Sequence, residues 1–501
     1  MDSKNSKDSK NSRNILERFL GLFADVRGGE GVTVLLLGLN VFLLLLLYYI
    51  IKTVREPLIR ASGGAEAASY SSAGQAILLL VAVPLYAVLA SRFPRRRLIN
   101  IVTLFFVACL AGFYILAQFN VPYLGVAFFL WVGIFNLMII AQFWSFANDL
   151  YTPEAGKRLF AIVAFGASLG AVLGGLIARR LIDPFGVYQL LLVAGGLLAL
   201  SLLVTNTIDS RERHKAEEVA TVRAREAEKP IGKGGAYRLV FGNKYLLMIA
   251  LLMLFLNWVN TTGEFILRRT VYGAADKQLA APAAQELFHK EYEKALEDGT
   301  VNERFDENYK QELDAGTVGN FSEEEFKENK FKESWEEDYK DRYVGKFYGG
   351  FFSVVNLLSL GIQLFLVSRI LKYLGVRVAL LVLPVIALGG YAFLIFYPVL
   401  GIVRWVKTAE NSTDYSLQNT VRQVLFLPLT REQKYKAKQA TDTFFVRAGD
   451  VLQAVLVFVG VRLAFETKHF AMVNLLLVVV WIVLAILIGR ENKKLTSNSI
   501  E

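Results

Sequence analysis

Long apolar runs alternate with short polar breaks along this chain. The runs fall near 34–52, 75–91, 99–119, 122–147, 159–182, 186–206, 244–266, 348–371, 377–397, 398–428, 439–465 and 470–489. Most approach the ~20 residues that an α-helix needs to cross a hydrocarbon core of ~30 Å. The pattern predicts an all-α membrane protein: twelve transmembrane helices in two six-helix halves around a polar linker, with a helical extramembrane insert. The expected boundaries are an N-terminal segment 1–30, a first half 31–206, a linker 207–243, helix seven at 244–273, an insert 274–345, the rest of the second half at 346–489, and a tail 490–501. The tenth and eleventh runs are amphipathic and carry the weakest hydropathy signal.

One stretch breaks the apolar pattern. Arg404, Lys407, Asn411, Asp414, Gln418 and Arg422 recur at steps of three and four within the tenth run. Those steps put them on one face of a helix. A central charge costs about 2.5–3.5 kcal/mol in lipid even on the lenient insertion scale. The stripe is therefore expected to line a water-filled cavity or meet a charged ligand. Run one ends with Tyr48, Lys52 and Arg55 on one face, and Pro57 predicts a bend or stop at Glu56. Run seven holds Asn257, Asn260, Thr261, Glu264 and Arg268 on one face, with Glu264 and Arg268 spaced for an internal i,i+4 ion pair. Run eleven adds Lys438 and Asp442, then Arg447 and Asp450. Runs one, seven and ten are first, first and fourth within the two halves; in transporters built from two six-helix halves, helices one, four, seven and ten line the central cavity. Run four is poorer, with only Asn136, Gln142 and Asn148.

Charge then fixes the expected topology. Between Ala274 and Gly345 there are 20 Asp and Glu against 10 Lys and Arg, a net −10 within a chain of net +10. The basic excess elsewhere sits beside apolar runs: Arg92 and Arg95 to Arg97 after run two, Lys157 and Arg158 after run four, Arg211 to Arg225 in the linker, and Lys434, Lys436 and Lys438 after run ten. With twelve spans all of these share the side of the basic N-terminus, which predicts cytoplasmic termini and an extracytoplasmic insert. A nucleic-acid role for the basic excess is not expected. Within the insert, Ala283–Leu296 reads as helical. Ser322 with Glu325 forms a capping box that starts a helix leading into run eight. The insert is read as an exposed helical cap on that run, the sharper alternative being a lid that faces a partner or the substrate. The first run is too long for a signal peptide and reads as a retained helix. Gly166, Gly170 and Gly174 in run five have the four-residue spacing that lets membrane helices approach closely. There is no Walker A motif, no metal-ligand spacing among His214, His289 and His469, no nucleophilic triad, and Cys109 stands alone. An enzyme and an ATP-driven pump are thus disfavoured, and no cofactor or metal is expected.

Four motifs carry a resemblance. Glu410-Asn411-Ser412-Thr413-Asp414-Tyr415-Ser416 is followed by Leu427-Pro428-Leu429 and then Lys436-Ala437-Lys438-Gln439-Ala440-Thr441-Asp442. This order resembles the E-N-S-T-D-Y-S, I-P-L and K-G-K-A-A-I-D runs of the ATP/ADP translocases (nucleotide transporters) of plastids and intracellular bacteria. Tyr48 to Glu56 is similar to that family's Y-x-I-L-R-D-T-K-D, Phe143 to Asn148 to its F-W-G-F-A-N, and Glu264 with Arg268 to its E-x-x-x-K. The resemblance implies a facilitator-like fold, nucleotide transport of the ATP:ADP exchange type in a bacterial inner membrane, and functional charges at Arg55, Glu264 and Lys436 or Lys438. The chain departs from the family in the insert, in Arg for Lys at Arg55 and Arg268, and in having no carboxylate between Trp131 and Gln142. On charge alone, a polyphosphate needs several cations. The expected substrate-binding set is Lys52, Arg55, Asn260, Glu264, Arg268, Arg404, Lys407, Asn411, Asp414, Arg422, Lys436, Lys438 and Asp442. Two other readings fit the same stripe: a facilitator of another organic anion or proton-coupled substrate, and a non-transporting receptor or scaffold that binds an unknown protein partner through the insert.

Overall fold

The computed structural model describes residues 26–27, 29–119, 121–151, 153–212, 236–314, 321–426, 428–429 and 441–497. Every regular element among them is helical. The N-terminal helices are α1 (Gly31–Ala61), α2 (Gly64–Arg92), α3 (Arg95–Ala117), α4 (Leu124–Leu150), α5 (Pro153–Phe185) and α6 (Leu190–Arg211). The C-terminal set begins with α7 (Lys244–Leu279) and α8 (Glu323–Phe365), followed by α9 (Gly375–Phe396) and α10 (Leu400–Thr413). It ends with α11 (Val446–Arg462) and α12 (Thr467–Ser497). Nine helices among the described residues are long and apolar enough to cross a membrane. The other three, α2, α10 and α11, stand where spans two, ten and eleven were expected. Each packs inside the bundle, α2 against α7 and α11, and α10 against α7, α8 and α9.

The burial pattern follows from the apolar runs. One apolar core lies within α1 and α3–α6, and a second lies mainly within α7–α12. Ile77, Phe105, Leu203, Phe393 and Leu476 are exposed on the outside. Lipid tolerates such a surface, and in lipid the backbone must satisfy itself within helices.

The glycine stripe of α5 explains how the two sets meet. A Cβ at Gly166, Gly170 or Gly174 would collide with the backbone of α1 at Gly38, Phe42 and Leu46 respectively. One residue on, Gly175 faces α8, where an added Cβ would lie 2.6 Å from the Gly349 carbonyl oxygen. The helix α5 is thus wedged between α1 and α8 at backbone contact.

Two expectations about α1 and the insert need correction. The helix α1 does not stop at Glu56 but continues through Pro57 to Ala61. The Tyr272 hydroxyl of α7 donates to the Glu56 carbonyl at 3.2 Å and ties this turn to the neighbouring helix. The carbonyl that Pro57 leaves without its helical donor is that of Thr53, and membrane helices tolerate such a proline. The insert holds three helical pieces where two were expected. Pro282–Glu297 and the Ser322/Glu325 capping box match the reading, and Thr300–Asp314 is additional. Phe288 and Tyr292 pack on Phe331, and the Trp335 indole donates to Glu291 at 2.7 Å. This small aromatic core seats the insert on α8, which is one unbroken helix of 43 residues. On the opposite, linker side, two of the basic residues expected to set topology also form ion pairs, Arg95 with Asp209 at 2.6 Å and Arg158 with Glu30 at 3.0 Å.

Candidate substrate-binding site

The first cluster lies where α1 meets α7, toward the insert. Glu56 is fully buried and receives Arg268 from α7, whose Nε donates at 2.8 Å and whose terminal nitrogen donates at 3.4 Å. The neighbouring Arg55 also donates to it through Nε at 3.1 Å. Both guanidinium groups lie over the Phe129 ring of α4, at 4.5 Å for Arg55 and 5.8 Å for Arg268. A buried carboxylate between two arginines meets the rule that an interior charge be paired and hydrogen-bonded. The expected Glu264–Arg268 pair within α7 does not form. Arg268 reaches across to Glu56, while Glu264, one turn earlier, faces α10.

The second cluster joins α7, α9 and α10. Lys407 is 1% exposed. Its ammonium donates to Glu410 at 2.8 Å and to the Asn260 side chain at 2.8 Å, and lies 3.7 Å from Glu264. Tyr391 of α9 donates to the same Glu410 oxygen at 3.0 Å. Asn411 donates to Glu264 at 2.8 Å. One ammonium thus serves two carboxylates, and Glu264 links it to the amide one turn along. Two cations nearby carry no carboxylate partner among the described residues. Lys52 lies 4.2 Å from the centre of the Phe352 ring. Arg404 lies 5.7 Å from the Phe347 ring. An aromatic face can hold such a cation in place without neutralising it.

A π-helical turn changes the single stripe expected along run ten. The helix α10 continues through Asp414–Gln418 as a π-turn and resumes as Asn419–Leu425. π-Bulges are frequent at functional sites. The wider turn rotates the later residues relative to an ideal helix. Arg422 approaches Asp414 at 4.0 Å, two turns away. Buried polar atoms without a hydrogen-bond partner concentrate here: Glu410 Oε1, Asn411 Oδ1, Asp414 Oδ1, both amide atoms of Gln418, and Arg422 Nε.

The structure therefore gathers Asn260, Glu264, Lys407, Asn411 and Glu410 in one network, and Arg55, Arg268 and Glu56 in another. The Glu56 carboxylate and Glu410 were not among the expected site residues. Both stood in quoted motifs, and two buried charges next to basic residues were the available signal. Asp442 lies exposed in a π-turn, Thr441–Phe445, at the start of the eleventh span. Arg447 pairs with Asp450 at 3.0 Å, and Asn257 of α7 also donates to Asp450 at 2.7 Å. Lys434, Lys436 and Lys438 lie outside the described residues.

Further contacts join the N-terminal and C-terminal helices on the insert side. Arg60 of α1 binds Asp341 and Glu337 of α8 at 2.7 and 2.6 Å. Tyr188 donates to Asp341, and Tyr49 donates to Asn356 at 3.0 Å. Gln453 of α11 donates to Ser69 of α2 at 3.0 Å.

Comparison with known proteins bears on the fold and the family. The family model described as Major Facilitator Superfamily matches residues 31–283. The model described as TLC ATP/ADP transporter matches residues 325–492. The chain is 20% identical over 425 residues to "ADP,ATP carrier protein 1" of Chlamydia pneumoniae, covering 75% of this chain and 66% of that protein. It is 20% identical over 394 residues to the protein of the same name from Chlamydia trachomatis, covering 69% and 61%. The match thus spans just under two thirds of these relatives' length. Among solved structures, the fold is similar to the nucleoside transporter NupG, with a TM-score of 0.58 and 12% identity, covering 91% of this chain and 98% of that one. It is also similar to the D-xylose-proton symporter, with a TM-score of 0.53 and 12% identity over 92% and 96%. With its helical bundle, its two apolar cores and a match over half its length, the chain belongs to the Major Facilitator Superfamily, and its C-terminal part matches the TLC ATP/ADP transporter family.

Proposed function

We propose that this protein carries nucleotides across a membrane by alternating access, with exchange of the ATP/ADP type. The observation that carries this reading is the pair of unneutralised cations, Lys52 and Arg404, beside buried charge networks on α1, α7 and α10. A polyphosphate brings several negative charges, and ammonium and guanidinium groups held in a low-dielectric cavity meet them strongly. The match to the TLC ATP/ADP transporter model and the names of the chlamydial relatives support a nucleotide over other anions. In this reading residues 31–206 and the helices from 244 to 489 are two halves that rock about the site. The insert-side contacts of Arg60, Asp341 and Tyr188 hold that side shut, and Lys52 and Arg404 receive the phosphates. The charge distribution supports cytoplasmic termini and an extracytoplasmic insert, and the bacterial source of the relatives supports a bacterial inner membrane.

The test is counterflow in proteoliposomes loaded with unlabelled ATP and given labelled ATP, ADP, a sugar phosphate or a dicarboxylate. Uptake of the labelled nucleotides alone is expected. Equal uptake of a dicarboxylate, or none of any nucleotide, would overturn the assignment.

A further inference from the structure

The seam between α5 and α8 faces the lipid side of the bundle and ends in charge toward the insert. On α5, Phe165, Leu169 and Leu176 are exposed. Arg180 and Asp183 follow Leu176 at steps of four and three, so they share that face. On α8, Lys346, Gly350, Leu357 and Leu364 recur at steps of four and seven, and Leu357 and Leu364 are exposed. Both faces are apolar along most of the span and turn polar only at the end nearest the insert.

Two arginines at that end are not neutralised. Arg179 and Arg180 lie in the last turn of the apolar run 159–182, and both are exposed. Neither pairs with a carboxylate among the described residues. The nearby cations do: Lys346 pairs with Asp183, and Arg342 with Asp338 at 2.6 Å. Four cations therefore meet two carboxylates, and two positive charges remain. An interfacial arginine ordinarily extends its head into water. Arg179 instead lies back across α8: a Cβ on Gly350 would fall 2.9 Å from its terminal nitrogen Nη1 and 3.4 Å from its Cδ. The side chain that Gly350 lacks leaves the space that this guanidinium occupies.

We propose that Arg179 and Arg180 bind the phosphate of an anionic phospholipid from the leaflet next to the insert, with an acyl chain lying along Leu176 and Leu357. Guanidinium forks match phosphate oxygens bidentately. Basic pockets between membrane helices attract anionic headgroups. The apolar faces below the arginines select a lipid over a free anion, because they meet a hydrocarbon tail and offer a small anion nothing. The position gives the lipid a second consequence. Helix α5 belongs to the N-terminal set and α8 to the C-terminal set, and their backbones touch at Gly175 and Gly349. A headgroup held by Arg179, which already reaches over Gly350, favours the state in which that contact is made. It therefore slows opening on the insert side; this consequence, unlike the binding, rests on the transport reading above.

Binding is tested by native mass spectrometry of the full chain in detergent, titrated with phosphatidylglycerol, phosphatidylcholine or inorganic phosphate. Phosphatidylglycerol is expected to stay bound under activation that strips phosphatidylcholine, and inorganic phosphate is expected not to displace it. The double variant R179Q/R180Q should retain phosphatidylglycerol at least several-fold less, with monodisperse elution showing that it folds. R369Q/K372Q, which removes as much charge just beyond the other end of α8, should retain it as the wild type does. The consequence is read from labelling of a cysteine placed at Ser69 in a Cys109→Ser background, in vesicles of phosphatidylcholine with or without phosphatidylglycerol. Phosphatidylglycerol should slow labelling several-fold, and R179Q/R180Q should erase the difference. Equal retention of the two lipids, full displacement by inorganic phosphate, or equal losses in both double variants would each overturn the lipid site and leave the transport reading intact. Tight phosphatidylglycerol with unchanged labelling would overturn its hold on the seam. Absence of ATP counterflow in every vesicle would remove the transport reading and leave the binding result standing.

Discussion

Truncating Glu56 to Ala should strip the counter-charge from two arginines at once. Glu56 is fully buried, and the side chains of Arg268 and Arg55 are 8% and 13% exposed. At about 4 Å and an effective dielectric of about 20, one such pair interacts by roughly 4 kcal/mol. Removing one partner of a buried pair costs about 3–5 kcal/mol, because the other charge stays in the interior without compensation. Arg55 is the more exposed and adds less to the loss. Thermal unfolding of purified protein in detergent should therefore drop by several degrees in E56A. The double variant E56A/R268A should recover more than half of that loss, since the stranded guanidinium is gone. An E56A protein as stable as wild type, or a double variant no more stable than the single one, would refute the claim that this knot binds α1 to α7.

Other outcomes follow from particular contacts. Lys52→Ala should cut ATP counterflow at least tenfold while leaving the unfolding temperature nearly unchanged, because no carboxylate loses its partner; a large stability loss would show that the cation is structural. Gly170→Leu should abolish monodisperse protein on size exclusion, since the side chain meets the Phe42 backbone of α1. Asp341→Asn should loosen the insert-side closure, read as faster labelling of a cysteine placed at Ser69 in a Cys109→Ser background; unchanged labelling would show that the Arg60 contacts are not a gate. Replacing residues 281–322 by a short Gly/Ser linker should preserve counterflow, whereas its complete loss would favour a receptor or scaffold role for the insert.

Hydropathy made most of the helices legible, because length and apolar content alone decide whether a segment can cross lipid. The glycine spacing of α5 and the capping box at Ser322 were equally readable, since each is a local pattern with one geometric consequence. The partners of the charges were not. Glu264 and Arg268 have the spacing of an internal pair, yet Arg268 binds Glu56, more than two hundred residues away. That choice depends on how α1 and α7 face each other, which no local pattern records. Pro57 misled for a related reason: α1 runs through it to Ala61 inside a packed bundle, where contacts such as the Tyr272 hydroxyl on the Glu56 carbonyl come from another helix. The π-turn at Asp414–Gln418 left no trace in the spacing, and it is what separates the residues of the stripe into different surroundings.

The unbroken helix α8 also has a mechanical consequence. Its 43 residues extend about 65 Å at 1.5 Å per residue, roughly 35 Å more than a bilayer core needs. The aromatic seat of the insert fixes the smaller helices to that excess length, so any tilt of α8 would carry the insert as a lever arm with its fulcrum in the membrane. A tilt of about 10° in α8 would swing its tip by about 6 Å, a displacement that a fluorophore pair on the insert and on the α1–α2 corner can follow during turnover. An antibody fragment clamped across the same two points would arrest the tilt without touching the proposed substrate site.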